Sequence, residues 1–182
     1  MDEPKRRGAG RANLILAARS EFETVGYEDT NSNLIARRAG YAPQTFYRHF
    51  PDKLAIFIAV YEAWTEAELA VIAGPGDITT AVQATLAHHR SSQVFRRTLR
   101  DLSVRHPELA DARAASRRRQ LDGLGKRFPA FGTLSAGAQA ARLLSFERLF
   151  DAIVEGEFER LGVADAEAEA LLVDEVRRLS KA

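Results

Sequence analysis

Apolar residues recur at helical spacing along almost the whole chain, and the strict alternation of a half-buried strand is hard to find. Ile15, Ala18, Phe22 and Val25 fall on one helix face, and Gly26 follows where a helix commonly ends in a left-handed residue. The stretch EDTNSN then offers capping side chains before Leu34, Ile35 and Ala39 open a second helix. After Pro51 and Asp52 a longer pattern places Leu54, Phe57, Tyr61 and Trp64 on one side, until Gly74-Pro75-Gly76 stops it. From a cap at Asp77, helical character resumes through Val82, Leu86 and His89. Ser91-Ser92 is a soft break, so 77–105 reads as one bent helix or two. His106-Pro107 is a firmer boundary, because proline disfavours helix before it and suits the first turn after it. An arginine-rich segment fills 107–127 and stops at FPAFGTLS. Two helices close the pattern. One covers about 135–159 with Leu143, Phe146, Phe150 and Ile153 on a face. The other follows Gly162 and a cap at Asp165, with Ala168, Leu172, Val176 and Leu179. The expectation is an all-α protein of about nine helices, its first ten residues frayed and basic.

The stretch IARRAGYAPQTFYRHF, residues 35–50, breaks the rhythm: a helix halts at Gly40 and another restarts at Pro43. Ala36 lets a second helix axis approach closely, and Gly40 supplies the positive φ of a sharp turn. Phe46 points back toward Leu34, Ile35 and Ala39. Gln44, Thr45, Tyr47 and Arg48 cannot all face inward, since successive residues diverge by about 100°. This is the economy of a helix-turn-helix. An exposed face of amide, hydroxyl and guanidinium groups suits the major groove and phosphates of DNA; it also suits a solvated helix pair in a bundle, and both readings stand on this fragment alone.

The wider stretch from Ile15 to Phe57 resembles the DNA-binding domain of the tetracycline-repressor (TetR) family of bacterial transcription regulators. The features that carry it are ILAA followed by Phe22, then GYEDT, IARRAG and above all TFYRHF with Lys53. The resemblance implies an N-terminal three-helix helix-turn-helix domain, residues 1–50, and a C-terminal helical ligand-binding and dimerisation bundle, residues 51–182. It implies a homodimeric repressor that binds a palindromic double-stranded DNA operator and is released by a small-molecule effector. Thr45 and Tyr47 match phosphate- and base-contacting positions, and Lys53 matches a lysine that holds phosphate. His49 matches a position that closes the turn. Asn31, Ser32 and Asn33 fall where family members contact phosphates, and Gln44 and Arg48 occupy variable positions that set sequence preference. The chain departs from the family at Ala42, where many members have Ser, at Tyr41, where the usual residue is small and aliphatic, and at Asn31-Ser32 in place of a second Thr. A helical small-molecule-binding or interaction protein without DNA binding is the alternative.

Composition narrows the rest. With 46% hydrophobic and 28% charged residues the chain reads as globular, and without cysteine it has neither disulfides nor thiolate metal sites. No apolar run approaches a membrane span, and MDEPKRRGAGR lacks the apolar segment of a signal peptide, so a cytoplasmic location is expected. Net charge is +1; residues 1–53 carry nine Lys/Arg against seven Asp/Glu, a weak pointer to a polyanion. Lys5, Arg6, Arg7 and Arg11 suit either a DNA-reaching arm or a solvated start. The adjacent His88 and His89 diverge on a helix and fit one metal ion poorly, and RRRQ at 117–120 reads as a solvated face. Tyr61, Trp64, His89 and Phe95 are candidates for a ligand cavity. Phe146, Phe150, Ile153, Leu172, Val176 and Leu179 are candidates for a dimer interface of the last two helices. No catalytic motif, cofactor site or metal site is expected.

Overall fold

A computed structural model of the chain describes residues 3–179, with side chains from 8 to 178. Among the described residues there are twelve helices and no strand: α1 (Glu3–Thr24), α2 (Gly26–Asp29), α3 (Ser32–Arg38), α4 (Pro43–Tyr47), α5 (Lys53–Ala73), α6 (Ile78–Arg90), α7 (Gln93–Arg105), α8 (Pro107–Arg127), α9 (Pro129–Gly132), α10 (Ala136–Val154), α11 (Glu157–Arg160) and α12 (Asp165–Leu179). Three of them, α2, α9 and α11, are single turns of four residues and come in addition to the expected set. The residues expected to fray belong to α1 from Glu3 onward, and 77–105 resolves into two helices at Ser91-Ser92. No described helix is long and apolar enough to cross a membrane.

The chain forms two compact units, residues 1–64 with 94–112, and residues 65–93 with 113–182. In the first unit the fully buried row of α1 is Leu14, Ala18 and Phe22, spaced by four; Ile15 is only partly covered, and Val25, beyond the helix end, is 42% exposed. Phe57 of α5 is the centre of an aromatic cluster. Its ring meets Phe22 at 5.1 Å and Tyr27 at 5.2 Å in the edge-on geometry that ring quadrupoles favour, and Phe95 of α7 at 4.8 Å in a tilted one. Near the end of this unit's share of α5, the Arg96 guanidinium stacks 4.7 Å from the centroid of Trp64.

The second unit is built on α6, α10 and α12. Asp77 caps α6 through Thr80 N–H at 2.8 Å, and Ser135 caps α10 through Ala138 N–H at 3.3 Å. Val82, Leu86, Ile153, Ala168, Leu172 and Val173 form its core, and Phe128 and Phe131 form a satellite cluster beside it. The helix expected over 135–159 stops at Val154. Gly156 has φ +67°, a left-handed value that an L side chain resists, and the chain restarts as α11.

Glu23 of α1 accepts the Phe95 N–H at 3.3 Å, satisfying an orphan donor at the start of α7. Burial raises its carboxyl above the ordinary value; the Phe95 N–H and the charge of Arg19 oppose the shift. The folded state therefore holds this proton more tightly than the unfolded state. The group's stabilisation is complete below the unfolded value of 4.5 and is lost as pH rises through the raised folded value. Glu23→Gln keeps the acceptor and removes the charge. In urea titrations it should be at least as stable as wild type at neutral pH, with the advantage gone by pH 4.5. A variant that is less stable at neutral pH would show the charge to be favourable where it lies.

Candidate nucleic-acid interface and a cavity

Two short helices and the turn between them carry a group of outward-facing polar side chains in the first unit. Asn31 caps α3, its Oδ1 accepting from Asn33 N–H at 3.1 Å and Leu34 N–H at 3.0 Å. At the other end Gly40 takes φ +75°, its N–H bonds Arg37 O at 3.0 Å and Tyr41 N–H bonds Ala36 O at 2.8 Å, a Schellman closure. Tyr41 is partly buried, and its hydroxyl accepts from Asn13 Nδ2 at 3.0 Å, so the aromatic residue of the turn is tied to α1. Pro43 opens α4, where Ala42 provides no side-chain cap.

In α4 the inward and outward roles separate by register. Phe46 is fully buried and Phe50, four residues on, is 3% exposed. Gln44, Tyr47 and Arg48, at i, i+3 and i+4, are all exposed, and Thr45 is half-covered beside them. The Tyr47 hydroxyl lies 2.8 Å from Ser32 Oγ, bracing the start of α3 against the end of α4. Asn33 is exposed, and the His49 ring lies against Gly10 of α1, where a Cβ would come within 3.2 Å of Nε2. Thr30, Asn31, Ser32, Tyr47, Pro51, Asp52 and Lys53 surround one open depression, so four of the residues named from sequence meet there.

Lys53 behaves differently from a free surface cation. Its ammonium donates to the carbonyls of Tyr27 at 2.6 Å, Thr30 at 2.9 Å and Glu28 at 3.4 Å, and it lies 4.1 Å from the centroid of the Tyr27 ring. An ammonium has three donors. A phosphate would have to displace one of these carbonyls, most readily the distant Glu28 oxygen. Partial burial lowers the Lys53 pKa, and the carboxylates of Glu28 and Asp29 work against that shift. Among the other cations, Arg38 is held by Glu21 and Ser20, the Arg11 guanidinium sits 5.2 Å from the centroid of the Phe50 ring, and Arg37 is exposed. The side chains of Lys5, Arg6 and Arg7 lie outside the described ones.

The second unit contains a cavity of about 90 Å³. Its walls are apolar, from Ile72, Ile78, Val82, Leu124, Phe128, Leu143, Phe146, Phe150 and Val176, and one end is polar. There Glu68 of α5 receives His89 Nε2 of α6 on Oε1 and Gln120 Nε2 of α8 on Oε2, each at 2.5 Å. All three side chains are nearly sealed from solvent. Of the four residues proposed for a cavity, His89 lines this one. Tyr61, Trp64 and Phe95 lie in the core of the first unit. Of the six proposed for an interface, Ile153 and Leu172 are 2% and 1% exposed in the unit's own core, and Phe146, Phe150 and Val176 line the cavity. The side chain of Leu179 lies outside the described ones. RRRQ is not a solvated face throughout: Arg117 is clamped to Glu147 at 2.9 and 2.6 Å, and Gln120 is buried. Ser116, Gln120 and Leu124 repeat at intervals of four, a stripe that would have revealed the inward glutamine. Among the described residues no group of three His, Cys, Asp or Glu could hold a metal ion.

A buried Phe46 beneath an outward Gln-Tyr-Arg face, closed on α3 by a glycine turn, defines a helix-turn-helix protein. Residues 14–60 match the family model for bacterial regulatory proteins of the tetR family. Within that segment the chain is similar to the N-terminal domain of tetR-family regulators. No curated protein sequence matches the chain. Among solved structures it resembles Salmonella enterica GusR, at 20% identity and TM-score 0.68 over 96% of each chain. It also resembles a TetR family transcription regulator from Marinobacter aquaeolei VT8, at 17% identity and TM-score 0.65 over 97% of each chain. A Rhodococcus sp. chain assigned to the same regulators gives 16% identity and TM-score 0.70, covering 94% of this chain and 98% of that one. These likenesses establish the fold over the full length.

Two substitutions test how the interface is held. Lys53→Met should lower stability by about 1 kcal/mol, because Thr30 O loses the ammonium while Tyr27 O keeps the Thr30 N–H. Asn31→Ala should cost about 1 kcal/mol through loss of the α3 cap. Guanidinium denaturation of purified protein measures both, and an unmoved midpoint for Lys53→Met would reduce its clasp to a surface contact.

Proposed function

We propose that the protein is a ligand-responsive transcriptional repressor that binds a palindromic DNA operator in the cytoplasm as a homodimer and is released by a small-molecule effector. The observation that carries this reading is the register of α4: Phe46 fully buried while Gln44, Tyr47 and Arg48 share an exposed face. A helix of this width fits the major groove, where amide and guanidinium groups match base edges and hydroxyls bond phosphates. In this reading residues 1–50 read DNA, with Gln44 and Arg48 setting preference and Thr45, Tyr47, Asn33 and the Asn31 amide on phosphate or base. Residues 51–182 dimerise and hold the effector, which acts by shifting the population of conformers through α5. Its leverage is limited to the difference in its affinity for the two states.

Dimerisation is proposed through α10 and α12, whose outward Leu144 and Leu171 are 47% and 53% exposed. Two-fold symmetry would set recognition helices on half-sites about 34–36 Å apart. A double Leu144→Glu, Leu171→Glu variant should sediment as a monomer where wild type is a dimer. Two species of equal mass would move the interface elsewhere.

Selection from random duplex DNA, run with wild type and with Tyr47→Ala, tests the central reading. Wild type should enrich an inverted repeat that Tyr47→Ala does not, and Gln44→Ala or Arg48→Ala should relax the preference at one position of each half-site. Absence of any enriched motif across a range of salt concentrations, with and without cell extract as a source of effector, would leave a helical ligand-binding protein that does not read DNA.

A further inference from the structure

We infer that the cavity of the second unit takes a compact apolar molecule carrying an uncharged hydrogen-bond donor, such as a hydroxyl, and discriminates against the corresponding carboxylate. The inference deepens the proposed effector reading and rests on it for its biological meaning, though not for its chemistry.

The charged groups at the wall are already committed. Arg127 donates to the carbonyls of Gly74 and Gly76, each at 3.3 Å, and its guanidinium lies 5.7 Å from the centroid of the Phe128 ring. Glu147 is engaged by both arms of Arg117 and by Arg113 at 3.9 Å. At the polar end, the Glu68 oxygens take up His89 and Gln120. A carboxylate accepts, so the nitrogen of the Gln120 amide faces Glu68 and its oxygen faces away. That Oε1 is buried without a hydrogen-bond partner, on a side chain that is 8% exposed and lines the cavity. A buried acceptor left without a donor is costly, and a bound hydroxyl removes the cost. A carboxylate offers no donor: it would bring further lone pairs and a charge against Gln120 Oε1 and Glu68. The apolar walls take a hydrocarbon body.

Three probes with nearly the same body separate the terms: 2-phenylethanol, phenylacetate and ethylbenzene, titrated calorimetrically into the full chain. The alcohol should bind about tenfold or more tightly than either of the others, the effect of pairing one buried acceptor. In Gln120→Met the gap between alcohol and ethylbenzene should close. Phenylacetate binding as tightly as the alcohol would overturn the inference. So would no detectable binding of the alcohol, or an alcohol preference that persists in a folded Gln120→Met. Should that variant fail to fold, having also stripped Glu68 of a donor, the wild-type ranking decides alone. Affinity for the selected DNA, measured in the same samples, keeps the two readings apart. Alcohol binding with unchanged DNA affinity sinks the effector role and leaves the ligand chemistry standing. Release of DNA by phenylacetate in preference to the alcohol sinks the chemistry and leaves the effector role.

Discussion

The left-handed backbone at Gly40 is the constraint on which the outward face of the first unit depends. At φ +75° the chain reverses within two residues of the end of α3, and the N–H groups of Gly40 and Tyr41 close the carbonyls that α3 leaves open. Only then does Phe46 reach the apolar space formed with Ile35 and Ala36, where all three side chains are fully buried. The burial is worth roughly 1.5–3 kcal/mol for the phenyl ring alone, enough to hold a five-residue helix that has little stability of its own. What α4 presents to the outside follows from that anchoring, since fixing residue 46 inward fixes the direction of 44, 47 and 48.

Much of this was legible in the sequence, and the exceptions share physical causes. Long helices reveal themselves because a period needs several turns to repeat; α2, α9 and α11 are one turn each and leave no period to detect. The overrun past Val154 has the same origin, because apolar residues continue at Phe158 and Leu161 on the far side of Gly156. The exposed positions of α4 could be read from a glycine, a proline and one phenylalanine. The bonding of Lys53 could not, since its partners are backbone carbonyls of α2 and its flank, whose position no side-chain pattern announces. Tyr61, Trp64 and Phe95 illustrate a further limit: aromatic residues at helical spacing suit a packed core and a ligand wall equally well, and only tertiary contacts separate the two.

At the polar end of the cavity a carboxylate on one helix lies within bonding distance of an imidazole and an amide from two others, inside an apolar shell. Such a knot adds little net stability, since desolvating a carboxylate consumes most of what its partners return. Its effect is positional. An apolar contact tolerates sliding by a fraction of a helical turn, whereas two bonds to the two oxygens of one carboxylate tolerate far less. The knot therefore registers α6 and α8 against the second half of α5.

The division of labour within α4 has an evolutionary consequence. Phe46 secures the element from below, while Gln44 and Arg48 face outward and are exposed. Exchange of exposed residues away from caps and buried networks typically alters stability by less than about 0.5 kcal/mol. A lineage could thus rewrite the outward letters of this helix many times, acquiring new targets, without passing through an unfolded intermediate.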